Sequence, residues 1–205
     1  MTTTKGQPPD GRQRRNRSED VLEAAVRVFH KKGYASASIQ DIADEVGVLK
    51  GSLYHYIDSK EDLLARLFED SAGHFMAMLD EASNLDAPPV ERLRRFAYSC
   101  SYWYLRNIER VTIYANEWKH LTGKRLKTVV GIRDDYECRL ASLIGEVKEA
   151  GEARPDLDVN FATYFIFGAL NGLPEWYRRR GADPAERIAE SYAGLIVATV
   201  VGGGK

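Results

Sequence analysis

The sequence predicts an all-α protein of about nine helices, a three-helix N-terminal head followed by a larger helical domain. Three observations carry this. Apolar residues recur at helical spacing from about residue 18 almost to the end, no run alternates apolar and polar residues in the manner of a strand, and Gly/Pro-containing clusters divide the chain into helix-length pieces.

Taken in order, the first helix is predicted to open at Ser18, a good N-cap followed by Glu19 and Asp20, and to close at Gly33 after Lys31 and Lys32. Its buried stripe is Val21, Leu22, Ala25, Val28 and Phe29. A second helix starts at Ser38, with Asp41 in the capping-box position, buries Ile39, Ile42, Ala43 and Val46, and stops at Gly47. A third, short helix covers about Leu49 to Tyr56. Ser59 caps a long fourth helix with Leu63, Leu64, Leu67, Phe68, Phe75, Met76 and Leu79 on its apolar side. After a break from Asn84 to Pro89, helices are expected at about 90–106, 108–121, 124–150, 158–180 and 185–200. Pro174 should kink the 158–180 segment near Gly172 or Leu173.

At 205 residues the chain can bury a real core without staples. Cys100 and Cys138 lie in apolar helical patterns rather than at paired spacing, so they read as small buried hydrophobes of a reducing cytoplasm. The N-terminus has no apolar segment behind its first residues, and the longest apolar run, Ala193 to Val201, falls short of the ~18–20 residues of a membrane span. The expected location is the cytoplasm. The first sixty residues carry ten Lys/Arg against eight Asp/Glu, whereas the remainder carries nineteen against twenty-two. The positive bias concentrates in Lys5, Arg12, Arg14, Arg15 and Arg17, opposed by Asp10, as expected of a flexible arm (1–17) that meets phosphates or merely solubilises the chain.

The informative stretch is Ser38 to Lys60. Two short helices meet at a glycine turn, small Ala43 marks their crossing, and Leu49, Leu53 and Ile57 at i, i+4, i+8 are expected to point inward. Lys50, Ser52, Tyr54 and His55 then face outward, and Gly51 lets the backbone approach a ligand closely. That is a helix-turn-helix whose outward donors suit the phosphates and base edges of a duplex. Lys60 opens the long helix, where its ammonium and the helix N-terminus could both meet a phosphate.

The run from Val21 to Leu64 resembles the TetR family of bacterial repressors through Ile42-Ala43, Gly47-Val48, Leu53-Tyr54, Lys60 and Leu63-Leu64. The resemblance implies DNA contacts at Ser38, Lys50, Gly51, Ser52, Tyr54, Tyr56 and Lys60, with Lys50 and Ser52 reading bases and Tyr54 and Lys60 touching phosphates. His55 joins this set by its outward position. The domains expected are the arm, a DNA-binding head over 18–60, and an effector-binding and dimerisation domain over 61–205.

Residues from about 85 to 180 are dense in aromatics, and Phe96, Cys100, Trp103, Tyr114, Trp118, Tyr136 and Phe165 are the expected wall of a small-molecule cavity. Arg106, Arg110, Lys119, Lys124, Arg125 and Arg133 flank them, so an acyl-coenzyme A thioester, with an apolar chain and phosphates, is one fitting effector and a neutral lipophile is its rival. The stretches RPDLD at 154–158 and EWYRRRG at 175–181 resemble TetR-family regulators of fatty-acid and steroid breakdown. The family resemblance further implies a homodimer through the last two long helices, here using Phe161, Gly168, Gly172, Trp176, Tyr192, Leu195, Ile196 and Thr199, and a palindromic operator released on effector binding. An activator, or a regulator without an effector, would share the same head. The four histidines, His30, His55, His74 and His120, are scattered without metal-ligand spacing or a glycine-framed nucleophile, so an enzyme is not expected, nor a metal or other cofactor.

Overall fold

The structure, a computed structural model, describes residues 11–178, 181 and 183–202. Among these, ten α-helical segments and one 3-10 turn account for the regular structure, as the helical spacing predicts. They are α1 (Gly11–Lys32), α2 (Ile39–Val46), α3 (Lys50–Leu53), α4 (Lys60–Ser83), α5 (Pro89–Arg106), α6 (Ile108–Glu117), a 3-10 turn (Trp118–His120), α7 (Gly123–Glu149), α8 (Val159–Asn171), α9 (Leu173–Trp176) and α10 (Ala185–Val201). Two compact units divide between Leu67 and Phe68, inside α4 and beyond the expected end of the head at residue 60.

In the first unit α1 packs on α2 and α2 on α3. The core is built from Val21, Ala25 and Phe29 of α1, Ile42 and Ala43 of α2, Leu53, Ile57, and Leu63 and Leu64 of α4, all buried. Helix α1 departs from expectation: it starts at Gly11, so Ser18 is not its N-cap and the segment expected to be a flexible arm is helical from that residue. Arginine and glutamine are good helix formers, and GRQRRNR offers no breaker after its glycine, so the helix propagates past the serine. The Ser18 hydroxyl instead accepts a hydrogen bond from Arg66 Nη2. Lys5 and Asp10 of the expected arm lie outside the described residues.

Helix α2 begins as its sequence predicts. Ser38 Oγ accepts from the Asp41 backbone N–H at 3.1 Å, the Asp41 carboxylate accepts from the Ser38 N–H at 2.9 Å, and the reciprocal pair closes a capping box. Gly47 ends the helix with φ +77°, a left-handed conformation that a side chain would strain. At α4, Ser59 Oγ likewise accepts from the Asp62 N–H at 3.0 Å.

The second unit is organised on α5 and α10, which lie against one another along most of their length, with α7 and α8 packed on them. Phe96, Ala97, Cys100, Leu140, Leu143, Ile144, Ile166, Leu170, Ala189, Ala193 and Ile196 are buried in its core. Asn107 separates α5 from α6, and α8 stops at Gly172, with Pro174 in the first turn of the short α9, where its missing N–H costs nothing. No helix of the described residues is long and apolar enough to cross a membrane.

Candidate functional site

The turn after Gly47 sets the reading surface of the head. Leu49 is extended (φ −71°, ψ 141°) and α3 begins only at Lys50, so the helix is shorter than the expected Leu49–Tyr56. Residues 54–56 continue as turns, with the Tyr56 N–H donating to Leu53 O at 2.8 Å. Leu53 and Ile57 fill the core at 0% and 3% exposure, as the spacing predicts. Leu49 does not join them: it is 81% exposed. Counting from Leu49 by helical steps assumed a helix that had not yet started, and the extended residue turns its side chain away from the core.

Lys50, Gly51, Tyr54 and His55 are exposed, Ser52 and Tyr56 half-buried, and Ser38 exposed although its hydroxyl is engaged in the α2 cap. Nothing lies within 4 Å of where a Cβ on Gly51 would sit, so the backbone there is open to approach. Arg66 braces the turn from α4, donating from Nη1 to Tyr56 O at 2.8 Å.

The Lys60 ammonium is engaged within the head itself. It donates to Tyr34 O and Ala37 O, both at 2.8 Å, and to Ala35 O at 3.4 Å, and sits 4.4 Å from the centroid of the Tyr34 ring. An ammonium has three N–H donors, and all three are taken by the loop that leads into the Ser38 cap. Sequence spacing places a lysine at a helix start but does not show which acceptors the preceding loop offers it.

In the second unit a cavity of about 140 Å³ is walled by Phe68, Tyr114, Trp118, Leu126, Val129, Tyr136 and Phe167, with Arg133, Glu137 and Asn171 as polar members. Of the seven residues expected there, Tyr114, Trp118 and Tyr136 line it. Phe96 and Cys100 are instead fully buried in the core, Trp103 stands against His74 and Phe75, and Phe165 is exposed on another face of α8. Helical periodicity identifies a buried face but not which of its residues border a void, so spacing does not single out Phe68, Val129 and Phe167 as cavity wall. Among the expected cations, Arg133 reaches the cavity and pairs with Glu137 at 3.3 Å, whereas Arg110 is buried in an ion pair with Asp70.

The Tyr114 and Tyr136 hydroxyls lie 2.9 Å apart at the cavity, and Tyr104 donates to Asn171 Oδ1 at 3.1 Å. Burial raises the pKa of both phenols of the Tyr114–Tyr136 pair above the ordinary tyrosine value, that of Tyr136 the more strongly, so both are neutral. Two neutral hydroxyls sharing one hydrogen bond keep one O–H free to donate, which places a neutral hydroxyl donor among the aromatic and aliphatic side chains of the wall.

Residues 86–200 match the family described as tetracyclin repressor-like, C-terminal domain, and residues 21–67 match the bacterial regulatory proteins of the tetR family. The chain belongs to the TetR family. This TetR-family protein is a DNA-binding transcriptional regulator. It is 27% identical over 183 residues to the HTH-type transcriptional repressor KstR2 of Mycobacterium tuberculosis, covering 89% of this chain and 92% of that one. The solved structure of that ketosteroid transcriptional regulator superposes with a TM-score of 0.83 at 26% identity, covering 91% and 96% of the two chains. The crystal structure of AibR in complex with isovaleryl coenzyme A and operator DNA superposes with a TM-score of 0.79 at 27% identity, covering 87% and 97%.

The other residues expected to function lie on α8, the short α9 and α10, with Gly172 at the junction of α8 and α9. Phe161 (73% exposed), Trp176 (50%) and Leu195 (63%) are outward, with Gly168 exposed beside them. Trp176 stacks on Tyr192, its Nε1–H donating to the Tyr192 hydroxyl at 3.3 Å. Gly172 and Thr199 are half-buried, the Thr199 hydroxyl donating to Ile196 O at 2.7 Å. Ile196 is 1% exposed and belongs to the protomer's own core, so it has no surface left for a partner.

Proposed function

We propose that this regulator is a cytoplasmic repressor that binds a palindromic operator as a homodimer and releases it when a small acyl thioester enters the cavity. The observation that carries the effector part is the cavity itself. Its volume, about 140 Å³, is below the roughly 300–1,000 Å³ of sites that enclose a whole drug-sized ligand, so it suits the acyl end of a thioester with the rest outside. Phe68, Val129 and Phe167 take the hydrocarbon, the free O–H of the Tyr114–Tyr136 pair donates to the thioester carbonyl oxygen, and Arg133 is a cation for the phosphate-bearing part. The isovaleryl thioester of AibR is a ligand of this type.

Release follows from linkage. Helix α4 supplies Lys60 and Arg66 to the head and Phe68 to the cavity wall, so a ligand that favours one placement of this helix biases the head. Tenfold derepression requires about 1.4 kcal/mol of tighter ligand binding to the non-operator state. In the dimer, the exposed Phe161, Trp176 and Leu195 pair with their symmetry mates across a two-fold axis, and two heads read half-sites about one DNA turn, or a multiple of it, apart.

Thermal denaturation with coenzyme A thioesters of increasing acyl length, and with uncharged lipophiles, tests the reading. Short-chain thioesters should raise the melting temperature and lower operator affinity. Stabilisation by an uncharged lipophile with every thioester inert would remove the thioester from the proposal.

A further inference from the structure

Leu49 has the most exposed large apolar side chain among the described residues, and it stands immediately before the exposed Lys50 and Gly51 of α3. A lone exposed leucine on a protein surface is ordinary. This one is held out by the backbone: the residue is extended at φ −71°, ψ 141°, while Leu53 and Ile57 already fill the space beneath the turn. It therefore contributes nothing to the core of the head, and its isobutyl group is available to whatever the turn meets.

The chemistry of its neighbours leaves one base-pair feature unread. A lysine donates to guanine O6 and N7, and a serine hydroxyl can donate to or accept from any base edge, but neither recognises the C5-methyl of thymine, which is read by apolar contact. Gly51 carries no side chain to hold the backbone away from the groove floor. We infer that Leu49 is a specificity-determining residue of the head, seating its isobutyl group on the C5-methyl of a thymine in each half-site. This rests on the DNA-binding reading of the head and goes beyond it by naming a base and the group on it that is recognised.

The experiment uses the full-length protein. Duplexes selected from a randomised pool define the bound sequence, and each thymine is then replaced by deoxyuridine in symmetric pairs, which deletes only the methyl. One such pair should weaken the wild-type protein about fourfold per half-site, about fifteenfold for both, the loss expected for one buried carbon. Leu49→Ala should bind the thymine and uracil duplexes alike, at the weaker level, and Leu49→Met should keep the discrimination. Melting temperatures of the variants should match the wild type because the side chain is exposed; if Leu49→Ala melts lower, Leu49→Gln, of similar size and polar, replaces it in the comparison. Wild-type indifference to every thymine-to-uracil change, or undiminished discrimination by the alanine variant, overturns the inference while leaving DNA binding intact. Failure to enrich any duplex overturns the DNA-binding reading and this inference with it.

Discussion

Replacing Lys60 with Ala separates two ways in which one ammonium can support DNA binding. In the structure the group closes the α1–α2 loop through two 2.8 Å bonds to Tyr34 O and Ala37 O and a longer one to Ala35 O. Hydrogen bonds to a charged group are worth about 1.5–3 kcal/mol each, and these acceptors are only partly buried and regain water, so the lower end applies. Two strong bonds give about 3 kcal/mol, and the contact with the Tyr34 ring adds less than about 1 kcal/mol. The loop leads directly into the Ser38 cap, so hydrogen exchange at the Ile42 and Ala43 amides should accelerate about a hundredfold. Operator affinity should fall, yet the slope of log K against log salt should stay the same, because no phosphate contact is lost. A direct contact would remove about 0.9 from that slope per head. A slope reduced by that amount, with exchange at Ile42 unaltered, would refute the clamp and return Lys60 to the phosphate role that the sequence suggests.

Asp41 provides a pH signature of the same corner. The Lys32 ammonium first, and then the Ser38 backbone N–H and hydroxyl, hold its carboxyl at about 2, below the ordinary 3.8. A carboxyl with a depressed folded-state pKa stabilises fully above its unfolded value and loses that contribution as pH falls from about 4 to about 2, so the denaturation midpoint should drop across that interval and Asp41→Asn should flatten it. Replacing both Tyr114 and Tyr136 with Phe removes the hydroxyl pair of the cavity and should weaken an acyl thioester about fivefold by calorimetry, the loss of one hydrogen bond, without affecting an uncharged hydrocarbon. Leu195→Arg places a charge on the exposed α8/α10 face and should convert the dimer to monomers in sedimentation with the helical circular dichroism unchanged; a dimer that persists would move the interface elsewhere.

What could be read from the sequence was local. The Ser38/Asp41 box and Gly47 define α2 because a cap and a left-handed glycine act within a few residues, and the structure places both as expected. The Ser59 cap and the breaks at Asn107 and Gly172 are legible for the same reason. Leu49 and Ser18 depart from their expected places because helix length decides them: α3 begins a residue later than expected and α1 about two turns earlier, and neither boundary changes the apolar pattern. The cavity was legible as a region and not as a surface. Phe96, Cys100 and Tyr136 share helical faces of similar hydrophobicity, and only the packing of α5, α6, α7 and α8 determines which of them meets empty space. The Lys60 clamp depends on carbonyls more than twenty residues earlier in the chain, beyond the reach of any spacing argument.

The three tryptophans occupy separate places: Trp118 borders the cavity, Trp176 of α9 lies outward against Tyr192 of α10, and Trp103 lies against His74. None precedes Trp103 in the chain, so the head contributes no indole emission. Single-tryptophan variants would thus give three optical reporters, for ligand entry, subunit pairing and interior packing, against a spectrally silent DNA-reading module whose own unfolding must be followed through its tyrosines.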